Sequence, residues 1–381
     1  MKKYFYIGLA GLALFEISKV YFIMPMPGSQ QIESLGLAYF LNGNRWIFRG
    51  VFLLTVAAGA GGAFRSGKRW PAVTVAAMAL AIVWAFNFPM MADTMFKQPR
   101  DPTYKARAEN KVDEDSVVLG LEVGGQAKAY PIRFLVYHHQ VRDTVGGQPV
   151  IVTYCSVCRT GRVFEPVVAG RPEKFRLVGM DHFNAMFEDA TTGSWWRQES
   201  GEAVAGPLTG ARLPQLAFTQ STLKKWFEMH PGALVLQPDD ASTANYDPEG
   251  KYERGKSRGE LTRTDSASWN DKSWVVGIEV GSISKAYDWN RLKRERVIND
   301  RVGETPVVLV LAADQASFSA FRRPAAAEFS LAGDGLAGGG RTFDLAGQDL
   351  ADSSRRLEKI QAYQEFWHSW RTFHPGSLRD Q

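Results

Sequence analysis

The sequence predicts an α+β fold, mainly β, arranged as two related (duplicated) extracytoplasmic units behind an N-terminal three-helix membrane anchor. Three observations predict it. The first hundred residues contain three long apolar segments, and the remainder alternates in short runs broken by Gly, Pro and Asp. That remainder also repeats itself. At 381 residues the chain has room for more than one domain.

The anchor takes residues 1–92, with apolar spans at about 4–26, 46–64 and 71–91, each close to the ~20 residues a helix needs to cross a bilayer. Lys2 and Lys3 precede the first span, and Arg65, Lys68 and Arg69 fill the loop between the second and third, whereas 28–43 carries only Glu33. This asymmetry predicts a multi-pass protein of the bacterial inner (cytoplasmic) membrane, N-terminus cytoplasmic and C-terminal region periplasmic or extracellular. The lipid bilayer is then one partner, and other membrane or periplasmic proteins are further candidates. A cleaved signal peptide would explain the first segment and leave the other two unexplained. Glu16 and Lys19 lie one turn apart inside the first span, either a functional pair or an internal neutralising one. The run "AAGAGGA" from Ala57 suits close helix packing.

Beyond the anchor, "VLGLEVGGQAKAY" from Val118 recurs as "VVGIEVGSISKAY" from Val275, and "VRDTVGGQPVIV" from Val141 as "INDRVGETPVVL" from Ile298. "WFEMHPG" from Trp226 is echoed by "WRTFHPG" from Trp370. The predicted units are 93–238, a linker 239–273, and 274–381. Residue types kept in both copies serve the shared scaffold: His230 and His374 at helix ends, Asp143 and Asp300 upstream of glycine turns. Types found once are candidates for function. Sliding one copy onto the other puts Ala312 at the place of Cys155, Gln315 at Cys158, Glu295 at His138 and Arg296 at His139, so the second copy reads as chemically empty.

The only cysteines lie in "PVIVTYCSVCRT". Gly146-Gly147 between two strand-like runs signals a two-residue hairpin, and pairing Val145 with Gln148 carries the register to His138 opposite Cys155, with Cβ atoms roughly 4.5–5.5 Å apart. A bulge at Pro149 would bring His139 there instead. A strand, a C-x-x-C turn and a second strand form the shape of a metal knuckle. Two thiolates with imidazole suit zinc, copper or iron. His138, Cys155, Cys158 and His182 are the candidate ligands, lined by Asp181, Asn184, Arg159, Trp196 and Gln198, with Trp195 as a further apolar wall. Two alternatives stay open. Cys155 and Cys158 would be the reactive groups of a thiol-disulfide oxidoreductase, although no helix follows the pair and only Arg159 and Arg162 favour thiolate. Or they close a small stabilising disulfide in a non-catalytic interaction module.

These stretches resemble the bacterial family known as domain of unknown function 3179. The matching text is "VLGLEVGGQAKAYP" from Val118, "HHQVRDTVGGQPVIVTYCSVCRT" from His138 and "FEDATTGSWWRQESGEAVAGPLTG" from Phe187. The resemblance carries over His138, Cys155, Cys158, Thr160, Asn184, Asp189, Gly193, Ser194, Trp196 and Gln198. The sequence departs from it at His139, where the family has Glu, at Ser156, where it has Pro, and at Arg159, where it has Gly. The resemblance implies a fold and a site and names no reaction. The net charge of +5 comes without a basic, aromatic-interleaved stripe, so no nucleic acid is expected. No phosphate loop, G-x-S-x-G elbow or H-E-x-x-H helix is present, and no nucleotide cofactor is expected.

Overall fold

The computed structural model describes residues 1–65 and 68–380. They form an α+β protein of about 29% helix and 32% strand, so "mainly β" holds only beyond the N-terminal helices. The chain divides into two compact units: Met1–Lys97 with Glu173–Arg212, and Gln98–Pro172 with Leu213–Gln381. This division cuts across the predicted 93–238 segment.

In the first unit, helices Arg45–Phe64 and Trp70–Asn87 are long and apolar enough to cross a membrane. Helix Lys2–Tyr21 equals the longer in length, but among the described residues only those two reach that apolarity, so the first predicted span is not one of them. Lysines at both ends and Glu16 account for its shortfall. Its backbone crosses Arg45–Phe64 closely: a Cβ at Gly59 would lie 2.1 Å from the Phe5 amide nitrogen, which explains the small-residue run. Glu16 is fully buried and does more than neutralise Lys19, 3.1 Å away. It also accepts from Arg49 Nε at 2.6 Å and Asn87 Nδ2 at 2.8 Å, tying the three helices together. The same unit holds an antiparallel sheet of Phe175–Asp181, Asn184–Asp189, Trp195–Arg197 and Ala203–Ala205.

The second unit begins with a five-stranded sheet in which Val117–Val123 and Gln126–Pro131 form the central hairpin. Helix Ile132–His138 follows, then the three-stranded sheet Gln140–Val145, Gln148–Cys155, Thr160–Phe164. Further along the chain, Trp274–Val280 and Ile283–Asp288 lead into helix Trp289–Glu295 and strands Val297–Val302, Thr305–Leu311 and Phe318–Arg322. Each succession ends in a short helix and a strand parallel to the hairpin: Leu223–Met229 with Leu234–Leu236, and Trp367–Phe373 with Leu378–Arg379.

Particular residues show why. Glycines at 120 and 277 leave bare backbone on which Trp226 and Trp370 lie; a Cβ there would come 2.3 Å and 2.0 Å from the indole rings. His230 and His374 sit against the same tryptophans at 4.1 Å and 3.7 Å between ring centres. Asp143 receives Lys128 at 2.9 Å and Tyr130 at 2.6 Å, and Asp300 pairs with Lys285 at 2.5 Å. The segment 239–273 is more than a linker, because Tyr252, Glu253 and Ser273 are buried within the unit.

Gly277→Ala should lower unfolding free energy by ~1–3 kcal/mol, because the added carbon meets a packed indole. Gly232→Ala, where nothing lies within 4 Å, should stay within ~0.5 kcal/mol. Chemical denaturation of both variants checks the contrast.

Candidate functional site

The glycine-doublet hairpin forms with Val145 opposite Gln148, and its ladder runs to Gln140 opposite Thr153. It does not reach His138. Residues 132–138 are helical, and His139 turns out of the helix at φ 57, a left-handed cap. The projected pairing of His138 with Cys155 therefore fails, because a helix rather than a strand enters the hairpin. His138 Nε2 instead meets Tyr246 Oη at 2.6 Å. His139 is the histidine beside the cysteine strand: its Nδ1 donates to the Tyr154 carbonyl at 2.8 Å, and its own carbonyl accepts the Tyr154 amide at 2.9 Å. Burial pushes this imidazole down to about 4.

Cys155 closes its strand opposite Thr160, and the turn 156–159 carries Cys158. Both cysteines are completely buried free thiols, side by side yet too far apart for a disulfide bond. Burial raises Cys158 well above the ordinary thiol range, and the adjoining Cys155 reinforces the shift; Ser369 and Lys272 act in the opposite direction. Arg159 stands where glycine is usual in the related motif and adopts that residue's backbone, φ 56. Its guanidinium is anchored by Gln364 Oε1 at 2.9 Å and the carbonyls of Tyr252 and Glu253 at 3.1 and 2.9 Å, and it lies 3.5 Å over the Trp274 ring.

The rest of the site comes from the distant part of the chain that sequence comparison set aside as chemically empty. Arg162 and Glu365 form an ion pair at 2.6 Å with both side chains essentially inaccessible. Glu365 also receives the Ser369 hydroxyl at 2.9 Å, and Ser369 lies 3.3 Å from Thr160 Oγ1. The Phe366 amide donates to the Cys158 carbonyl at 2.9 Å. Lys272 Nζ lies 2.8 Å from the Val157 carbonyl, 2.7 Å from the Leu261 carbonyl and 3.2 Å from His368 Nε2. His368 Nε2 also lies 3.1 Å from the Val157 carbonyl, so Lys272 and His368 converge on the same oxygen of the cysteine turn. Burial, then the Lys272 charge, pushes His368 down to about 4.

The other predicted residues belong to the first compact unit. His182 bonds Asp181 at 2.6 Å and reaches Glu33 at 3.1 Å, and Asp181 also holds Arg197 at 2.6 Å. Asn184 donates to Gln198 at 3.1 Å. Trp196 and the turn Thr192–Ser194 bind Asp189, whose carboxyl stays low despite burial. His182 is thus engaged by carboxylates in a separate unit. Among the described residues no group of three or more His, Cys, Asp or Glu side chains is placed to hold a metal ion, so the four predicted ligands are not assembled into one set.

The strand–knuckle–strand geometry carries the motifs in the order the sequence suggested, and a family model described as a protein of unknown function, DUF3179, matches residues 95–377. The chain belongs to this family. No curated protein and no solved structure matches it. In this DUF3179 protein the site residues that sequence reasoning missed are Lys272, Glu365, His368 and Ser369. A signal existed for the last three. Aligning "QSTLKKW" from Gln220 with "QEFWHSW" from Gln364 puts Glu365, His368 and Ser369 where the earlier stretch has Ser221, Lys224 and Lys225.

Breaking the ion pair with Glu365→Gln or Arg162→Met should cost ~3–5 kcal/mol, since each leaves a charge buried alone. The double variant Arg162→Met/Glu365→Met should lose less than the sum of the singles, as read from urea midpoints. His139 and His368 stay neutral down to about pH 4 when folded, but take a proton near 6.5 when unfolded. The unfolded state therefore binds more protons in that window, and stability should fall from pH 6.5 toward 4 by up to ~1.4 kcal/mol per unit per histidine. His368→Asn should flatten the slope of stability against pH by about one proton.

Proposed function

We propose that this protein is a membrane-anchored, extracytoplasmic binder of one soft monovalent cation, copper(I) by preference, held between the sulfurs of Cys155 and Cys158. The anchor crosses the bilayer with its N-terminus in the cytoplasm, and the C-terminal region consists of two copies of one unit that close on each other around the sulfur turn. The charge pattern of the N-terminal loops and the paired Gly–Trp–His and Lys–Tyr–Asp sets support those parts of the reading.

One observation carries the choice of cation: Lys272 donates to the Val157 and Leu261 carbonyls beside the cysteine turn, and although burial lowers its pKa, both sulfurs act through space to keep it charged. Arg159, the other cation of the turn, is directed to the Gln364 oxygen, two carbonyls and the Trp274 face, which leaves Lys272 to face a centre of charge −1. A pair holding one thiolate and one thiol has that charge. Exchange of the remaining proton for a monovalent ion gives S–M–S with the same charge, and the proton leaves to solvent. Thiolates select copper(I), which is satisfied by two of them, whereas zinc asks for four ligands. Burial of both sulfurs favours a retained ion over rapid transfer. It also counts against thiol exchange with a protein substrate, which requires an accessible low-pKa thiolate.

Reduced full-length protein in detergent, titrated anaerobically with copper(I) against a chromophoric chelator, should retain one equivalent and lose it in Cys155→Ser and Cys158→Ser. Lys272→Gln should weaken retention about tenfold, ~1.4 kcal/mol, while Lys272→Arg keeps it. Copper(I) retention that is absent, or that is unchanged in Cys155→Ser, would overturn the reading.

A further inference from the structure

A second site lies on the same compact unit. The segment 247–262, facing helix Ile132–His138, encloses a cleft of about 950 Å³. Five cationic residues line it against three carboxylates, an excess of two positive charges. The carboxylates already have local work. Asp247 accepts the amides of Glu249 and Tyr252 at 3.2 and 2.9 Å, Glu249 pairs with Lys251 at 3.2 Å, and Asp113 accepts the Asp115 amide at 3.0 Å. Arg133 is turned toward the buried Glu253, whose carboxylate also accepts the Arg133 amide at 2.9 Å. The other three cations differ. Among the described residues Arg254, Lys256 and Arg258 have no ion-pair or side-chain hydrogen-bond partner, and all three are exposed on one cleft.

The wall that presents them is rigid for a reason already described. Arg159 binds the carbonyls of Tyr252 and Glu253, Tyr252 Oη donates to the Ser156 carbonyl at 2.8 Å, and Glu253 grips the helix amide of Arg133. The backbone just before Arg254 is therefore fixed from behind, while the cationic side chains face open space. Guanidinium forks match phosphate oxygens in pairs, and a lysine adds a point charge. A volume near the upper end for small-molecule sites leaves room for more than one phosphate group.

We propose that this cleft binds a diphosphate group through Arg254, Lys256 and Arg258. The proposal does not rest on the copper reading, and the two fail separately. The experiment is calorimetric titration of the full-length protein in non-ionic detergent with inorganic pyrophosphate. Saturable binding is expected, weakened at least tenfold in Arg254→Gln/Arg258→Gln at unchanged melting temperature, and preserved in Cys155→Ser. Competition by vesicles carrying a lipid diphosphate would support the site and assign a membrane source; saturable binding without that competition would support it with a soluble source. Absence of binding at millimolar pyrophosphate, or equal affinity in the double variant, would overturn the proposal.

Discussion

The Arg162–Glu365 ion pair is the constraint on which the rest of the second unit depends. It joins the strand leaving the cysteine turn to a strand two hundred residues later, at 2.6 Å and out of reach of water. A pair so buried is stable only if every remaining lone pair and proton is occupied. That requirement places Ser369 on the free carboxylate oxygen, and the Arg162 guanidinium 3.7 Å over the Tyr363 ring with a bond to the Gly161 carbonyl at 2.9 Å. Ser369 in turn brings its helix against Cys158, and the same helix delivers His368 to Lys272. The ion pair thus fixes the register between the early and late parts of the chain, and the sulfur site lies within that register.

Low dielectric then determines what the site can be. Two thiols, an imidazole and the Arg159 guanidinium are buried close together with the half-buried Lys272 beside them, and burial pushes Cys158 up and both Lys272 and His368 down. Burial and the adjoining Cys155 oppose ionisation of Cys158, and Ser369 and Lys272 favour it. Arg159 illustrates the cost. A left-handed backbone is unfavourable by ~1–2 kcal/mol for a residue with a Cβ, and the offset comes from three hydrogen bonds and an indole face. Arg159 thereby locks the segment after Tyr246 onto the turn.

Much of this is legible in the sequence. The glycine doublet set the hairpin register correctly, and the motifs identified the family. The position of His138 was not legible, because "IRFLVYH" is equally apolar as a strand or a buried helix and only tertiary packing resolves it. The partners of the cysteines were hidden for another reason. Glu365, His368 and Ser369 are about two hundred residues from Cys158, in a stretch whose likeness to the earlier one draws attention to the residues it lacks rather than to those it adds. Lys272 had no signal, being one lysine in a polar stretch that only the fold brings to the cysteine turn. His182 was overvalued by its residue type, since two carboxylates already engage it.

The central claim is that the late segment seals the cysteine turn from solvent. Its most direct test is the rate at which a maleimide labels Cys155 and Cys158 in the reduced, native, full-length protein. The account predicts labelling slower than that of the unfolded chain by orders of magnitude and governed by opening of the structure, with Glu365→Ala accelerating it sharply. Labelling of either cysteine at the rate of a free thiol in the native protein would contradict it.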